Sequence, residues 1–347
     1  MIKTISYREA LNLAMTQEME RDSNVFTYGL DVPDHKRIFG STVGLVEKFG
    51  SDRCFGTPLA EDAMTGFALG SAINGMRPIH IHIRADFLML SMNQIVNMIS
   101  NFRYMTGGQL KVPIRAIIGR GWGQSAQHSK SLHSFFAHVP GLKVIMPTTP
   151  FDAKGLLASA IRDDNPVICL EHRWLYDIVD KVDVAPEALV TLGKPNVLQE
   201  GTDLTIVATS WMNIEALRAA EVVNKFHGKK VEVIDPRTIA PLDYKIIYES
   251  VNKTGQCIVA DYDWVNCGFS AEVAARVSES CFNRLKSPVT RLGFSETPCP
   301  TTRPLENKFY PNTIDIVRQV ESKLNLKPSD LSKEKFYSYE NKFKGPF

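Results

Sequence analysis

Gly56-Thr57-Pro58-Leu59-Ala60-Glu61-Asp62 runs into the small-residue stretch 63–75 and then into Pro78-Ile79-His80-Ile81-His82-Ile83. This reads as a strand end, a helix and a strand in succession. Working outward, the β-branched runs at 25–28, 114–118, 143–146 and 167–170 are strand-like, and 7–21, 91–103 and 150–163 carry helical spacing. Strand and helix patterns in alternation predict βαβ units, hence an α/β fold with a doubly wound, mainly parallel sheet covered by helices on both faces. Pro150 opens its helix at a position where the missing N–H costs nothing.

The pattern pauses over 177–201, where Pro186, Pro195 and Gly201 break any period. It restarts with strand-like 204–208, helical 213–226, and strand-like 231–234 and 257–260. The expected organisation is a larger domain over 1–180, a linker over 181–200, a smaller α/β domain over 201–326 and a tail over 327–347. The tail is polar and rich in Lys and Glu, which suits a mobile segment or a docking arm.

At 347 residues the chain is long enough for two domains with substantial cores. Its net charge of +2, with both signs mixed along the chain, announces no polyanion-binding surface, so nucleic acid is excluded as a partner. No apolar run is long enough to span a bilayer, and Met1-Ile2-Lys3-Thr4-Ile5-Ser6 lacks the apolar block of a signal peptide. The six cysteines show no CxxC or Cys/His spacing. The expectation is free thiols in a reducing cytoplasm and no zinc site.

Glu61 is the residue to explain. It stands where a strand ends and an Ala/Gly-rich helix begins, and Gly66, Gly70 and Gly75 would let a flat ligand or another backbone come close. A carboxylate at such a mouth loses hydration and can hold or share a proton. The plain alternative is a first-turn acid that complements the helix dipole.

By its ordered motifs the chain resembles the β subunit of the E1 component of 2-oxoacid dehydrogenases, the pyruvate and branched-chain type within the transketolase-like thiamine-diphosphate enzymes. The blocks that carry the resemblance include TPLAE at 57–61, GMRPI at 75–79, ADF at 85–87, QHSKS at 127–131, HVPGLKVIMP at 138–147 and VIDPRTIAPLD at 233–243. The resemblance implies a pyrimidine-binding domain followed by a transketolase C-terminal-like domain. It implies that Glu61 hydrogen-bonds the ring nitrogen of the cofactor's aminopyrimidine, that Phe87 stacks on that ring, and that Leu59 and Ile83 complete the pyrimidine site. It makes His128 an active-site histidine facing the substrate carboxylate or the covalent intermediate. The glycines of Gly119-Arg120-Gly121-Trp122-Gly123 point to a mobile active-site loop, because they let backbone wrap a ligand. It also implies a structural monovalent cation, K⁺, held by Ile114, Ala160, Ile161, Asp163 and Asn165. A core phenylalanine, a satisfied loop histidine and a capped helix end are the respective bland readings.

The chain has no Gly-Asp-Gly followed by Asn, the pattern that in this family binds Mg²⁺ and the cofactor's diphosphate. An α-type E1 subunit is expected to supply it in an α2β2 heterotetramer, acting on a 2-oxoacid and passing the acyl unit to a lipoyl-E2. Six positions depart from the family pattern. Leu30 stands where an acid is usual, His80, His82 and Arg84 replace mostly apolar or neutral positions, and Lys130 and His133 replace Gln and Glu. These departures open a second reading, a transketolase- or acyloin-type enzyme with a non-lipoyl acceptor. They also leave a third, a non-catalytic scaffold, against which Glu61, Phe87 and His128 argue.

Overall fold

The computed structural model of the chain describes residues 1–119 and 124–336. Its backbone divides into two compact units. Of the described residues, the first comprises 1–119, 131–192 and 238–241; the second takes 124–130, 193–237 and 242–336. The division is therefore not sequential: 124–130 groups with the second unit and 238–241 with the first.

A seven-stranded sheet forms the centre of the first unit, in the order Thr238–Ala240, Lys143–Ile145, Val167–His172, Pro113–Ile118, Arg77–His82, Val25–Gly29, Cys54–Gly56. Every pairing is parallel except that of the edge strand Thr238–Ala240, which runs antiparallel to Lys143–Ile145. Val25–Gly29, Pro113–Ile118 and Val167–His172 are buried along their whole length, as expected of strands covered on both faces. The helices Tyr7–Arg21 and Pro150–Arg162 pack against each other. Each is started by its cap: Ser6 and Glu9 form a reciprocal capping box, and Thr149 accepts from the Asp152 amide ahead of Pro150.

The second unit has a five-stranded sheet, ordered Thr290–Phe294, Cys257–Trp264, Leu204–Ala208, Val231–Asp235, Asn196–Gln199, with only the last strand antiparallel. Helices Trp211–His227 and Thr313–Lys323 pack together in this unit. The span expected as a linker carries strand residues at both ends. Val179–Asp183 pairs antiparallel with Ile2–Ser6 in the first unit, and Asn196–Gln199 edges the second sheet. Pro186 and Pro195 fall between these short strands, where no ladder N–H is needed. The start of the expected tail is docked: Ser329 is buried, its amide donating to Glu321 Oε1 at 2.7 Å, and Lys225 pairs with Glu334 at 2.6 Å.

Charge is buried deep in the first unit. Arg115 Nε and Nη2 donate to the two oxygens of Glu171 at 2.6 and 2.7 Å, and both side chains are 0 % exposed. Tyr176 donates to Glu171 at 2.6 Å, and Arg115 Nη2 also donates to Ser41 Oγ at 3.1 Å, tying the 38–42 turn to the sheet. Burial opposes the Arg115 charge, yet the Glu171 carboxylate holds its pKa above the ordinary arginine value. Arg115→Met is expected to cost about 3–5 kcal/mol, because Glu171 is left charged and unpaired, whereas adding Glu171→Leu should recover most of the loss. Chemical denaturation of the two variants measures both numbers.

His80 and His82 are buried on the strand Arg77–His82. Burial pushes His82 down to about 4 from the ordinary 6.5. Between those values the unfolded chain takes up a proton that the folded chain refuses. The contribution of His82 to stability is therefore complete above about pH 6.5 and is lost as pH falls toward 4, by roughly 3 kcal/mol. Unfolding midpoints across that window are expected to fall more steeply for the wild type than for His82→Phe.

Candidate active site

The carboxyl ends of three neighbouring parallel strands form the floor of a cleft in the first unit. Gly29 lies opposite Gly56 on one side and Ile81 on the other, and such strand ends are where open α/β sheets bind ligands. Gly29 is required there: a Cβ would lie 2.1 Å from the Ile81 carbonyl oxygen. The cleft encloses about 360 Å³, counted out to open solvent, and Glu61, Leu59, Ile83 and Phe87 all line it. Residues scattered over 59–87 thus meet at one place.

Glu61 is the first residue of the helix Glu61–Ile73, which lacks a side-chain cap. Its carboxylate is half-buried, and no hydrogen bond or ion pair among the described residues engages it. Neighbouring Asp62 is different, accepting from Gln94 Nε2 at 3.3 Å. Leu59 is 75 % exposed and Phe87 38 %, so both present apolar surface at the cleft. Among the described residues a Cβ on Gly70 would meet nothing within 4 Å, and one on Gly66 would make an ordinary contact with Gln94 at 3.6 Å.

Sequence reasoning did not place Thr57, Pro58 or Met64 on the cleft wall, where they stand with Leu30, His80 and His82. The histidines had a signal, their alternation in an otherwise apolar strand; Met64 had none beyond lying one turn after Ala60. Arg84, the next cation along, is buried and donates to the Gly119 carbonyl at 3.4 Å. His133 is a buried core histidine, its Nδ1 2.8 Å from Ser131 Oγ.

His128 belongs to the second unit, half-buried after the short turn Ser125–Gln127. Its segment is pinned from both sides. Ser129 Oγ donates to the Ser125 carbonyl at 2.5 Å, and Tyr310 Oη donates to the Ser129 carbonyl at 3.0 Å. Tyr310 is itself fixed by stacking on Tyr262 at 5.5 Å and by Phe294 at 5.0 Å. Of the expected mobile loop, 120–123 lie outside the described residues.

The expected cation ligands sit together at the end of the helix Pro150–Arg162, apart from Ile114 in the strand Pro113–Ile118. Ala160 accepts from the Asp163 amide at 3.3 Å and Ile161 from Arg77 Nη1 at 3.3 Å. Asp163 Oδ1 accepts from the Asn165 amide at 2.8 Å, while its Oδ2 pairs with Lys143 at 2.6 Å. Among the described residues no group of three or more His, Cys, Asp or Glu is placed to hold a metal ion.

The transketolase pyrimidine-binding domain pattern matches residues 3–178, and the transketolase C-terminal domain pattern matches 193–316. The chain is 40 % identical over 311 residues to the 2-oxoisovalerate dehydrogenase subunit beta of Bacillus subtilis, covering 89 % of this chain and 95 % of that protein. It is 38 % identical over 330 residues to the mitochondrial pyruvate dehydrogenase E1 component subunit beta of Ascaris suum, covering 93 % and 91 %. To the acetoin:2,6-dichlorophenolindophenol oxidoreductase subunit beta of Cupriavidus necator it is 38 % identical over 328 residues, covering 91 % and 96 %. Among solved structures, a split-gene transketolase in an inactive β4 tetramer superposes with a TM-score of 0.73 at 24 % identity over 93 % of this chain and 99 % of that one, a likeness of fold. With both domains matched in order and relatives of this kind aligned over most of its length, the chain belongs to the family of 2-oxoacid dehydrogenase E1 β subunits, built on the transketolase-like domain pair.

Proposed function

We propose that this chain is the β subunit of a heteromeric, thiamine-diphosphate-dependent 2-oxoacid dehydrogenase E1, contributing the pyrimidine half of the cofactor site. The observation that carries the reading is the convergence of an unengaged carboxylate, Glu61, with Phe87, Leu59 and Ile83 on one cleft at the strand ends. That set fits an aminopyrimidine: apolar surface for its faces, an aromatic ring for stacking, and a proton-holding group for its ring nitrogen. Thiamine diphosphate held there would supply a carbon nucleophile and an electron sink for decarboxylation of a 2-oxoacid.

This chain's residues do the rest. Glu61 holds a proton against the pyrimidine nitrogen and exchanges it, a task that needs an acid and that Gln could not perform. Phe87 orients the ring, and Leu59 and Ile83 exclude water from it. His128, on the segment held by the Tyr310–Ser129 bond, is the residue that the resemblance assigns to the substrate carboxylate or the covalent intermediate. The diphosphate and Mg²⁺ fall to an α-type partner in an α2β2 assembly, since the sequence lacks the Gly-Asp-Gly and Asn pattern. The acyl unit passes to a lipoyl-E2. A K⁺ at the carbonyls of Ile114, Ala160 and Ile161, with Asp163 and Asn165, would brace the end of the helix Pro150–Arg162. None of the six cysteines is in a disulfide, which supports a reducing compartment, the cytoplasm; no helix among the described residues is long and apolar enough to cross a membrane.

A second reading, transfer to a carbonyl acceptor as in acyloin formation, is favoured by Leu30 and His82 on the cleft wall. Labelled pyruvate offered with lipoamide and with an aldehyde separates the two, because label found only in acyl-lipoamide rules the second out.

Glu61→Gln, assembled with the α-type partner, is expected to lose at least about 100-fold in 2-oxoacid decarboxylation, and wild-type turnover would refute the role of Glu61. Tyr310→Phe removes the hydroxyl that holds Ser129. It is expected to lower kcat several-fold and stability by about 1 kcal/mol, read by steady-state kinetics and thermal unfolding.

A further inference from the structure

His80 and His82 share one face of the strand Arg77–His82, as residues two apart do. They are 2 % and 5 % exposed. The His80 ring lies flat against Tyr28 with centroids 4.5 Å apart, and His82 meets His80 edge-on at 4.2 Å. Nε2 of His82 is buried without a hydrogen-bond partner, and the equally buried His80 ring has only the Tyr28 backbone beside it as a bonding group. A buried polar atom left unpartnered is costly, so such a ring on a cleft wall asks for a ligand group that completes it. Both line the same cleft as Glu61 and Phe87.

Charge narrows the ligand. Burial, joined at His80 by the neighbouring His82, lowers both pKa values, so the rings are neutral near pH 7. Among the described residues no lysine or arginine lines the cleft, and Glu61 is its one carboxylate. An additional anionic group on the ligand would meet no counter-charge there. A hydroxyl suits a neutral imidazole, because it can donate to the bare ring nitrogen or accept from the N–H. Leu30 and Ile83 on the neighbouring walls offer an aliphatic chain space but no hydrogen bond.

We propose that His82, backed by His80, forms a hydrogen-bonding subsite for an uncharged hydroxyl on the substrate, selecting hydroxylated 2-oxoacids over aliphatic ones of the same size. This rests on the reading of the cleft as the thiamine site. The test uses the complex with its α-type partner, loaded with thiamine diphosphate, and compares 3-hydroxypyruvate with 2-oxobutanoate, which carries a methyl in place of the hydroxyl. The wild type is expected to favour hydroxypyruvate in kcat/KM by at least about tenfold, and His82→Phe to bring the ratio to unity or below. Calorimetry with thiamine diphosphate reads cofactor binding separately. A crystal of the complex with hydroxypyruvate is expected to show its hydroxyl about 3 Å from a His82 ring nitrogen. His82→Gln, which keeps a donor, should give an intermediate ratio and serves as the probe if the phenylalanine variant does not fold. Equal kcat/KM for the two acids in the wild type, or a ratio that neither variant moves while the cofactor still binds, overturns the subsite and leaves the thiamine reading standing. A wild-type complex that binds no thiamine diphosphate overturns both.

Discussion

The site depends on one constraint, the parallel register that brings the ends of Val25–Gly29, Cys54–Gly56 and Arg77–His82 level. Side chains leaving three strands at the same height can converge; the same residues in a slipped register would point away from one another. Gly29 keeps that register tight because its backbone comes within a side chain's width of the Ile81 carbonyl. The helix Glu61–Ile73 then starts directly above the strand ends, which puts an acid at the cleft without a long loop to position it.

Beneath the site the first unit commits charge to its interior. Arg115 and Glu171 stand on adjacent parallel strands and satisfy each other with two hydrogen bonds, with Tyr176 and Ser41 taking further positions. Such a network is expensive to break from one side and contributes little net stability over a well-packed apolar pair. Its effect is to fix geometry, since Ser41 and Met15 are tied to the sheet through the same guanidinium. A parallel sheet built this way gives a rigid floor, which a site that must hold a ring within fractions of an ångström requires.

The local pattern made most of the fold legible. The helix expected at 7–21 is Tyr7–Arg21, that at 150–163 is Pro150–Arg162, and the central strands lie within a few residues of their β-branched runs. What escaped was pairing between distant segments. Nothing local in Val179–Asp183, with its alternating Asp and Lys, announces a partner at Ile2–Ser6, and Thr238–Ala240 joins a sheet whose other strands all precede it by dozens of residues. The candidate site was legible in the same partial way. Glu61, Leu59, Ile83 and Phe87 were named by resemblance and do share a cleft. The support of His128 by Tyr310, from 181 residues away, had no trace in the sequence, because a tertiary hydrogen bond leaves no period behind.

Three of the six departures from the family pattern, Leu30, His80 and His82, meet on one cleft. On the wall of a single cleft an acid position has become Leu30, and an apolar strand face has become His80 and His82. The net effect leaves Glu61 as the sole carboxylate and moves hydrogen-bonding capacity from a charged group to neutral rings. Were the imidazoles there merely to fill volume, phenylalanine or leucine would do so without stranding a buried ring nitrogen on His82. Were they there for charge, they would not be buried to the point of refusing a proton. Neutral, desolvated and lining the cleft, they are suited to recognising one uncharged polar group. A site built around such a group rejects the analogue lacking it far more strongly than an apolar pocket rejects an extra methylene.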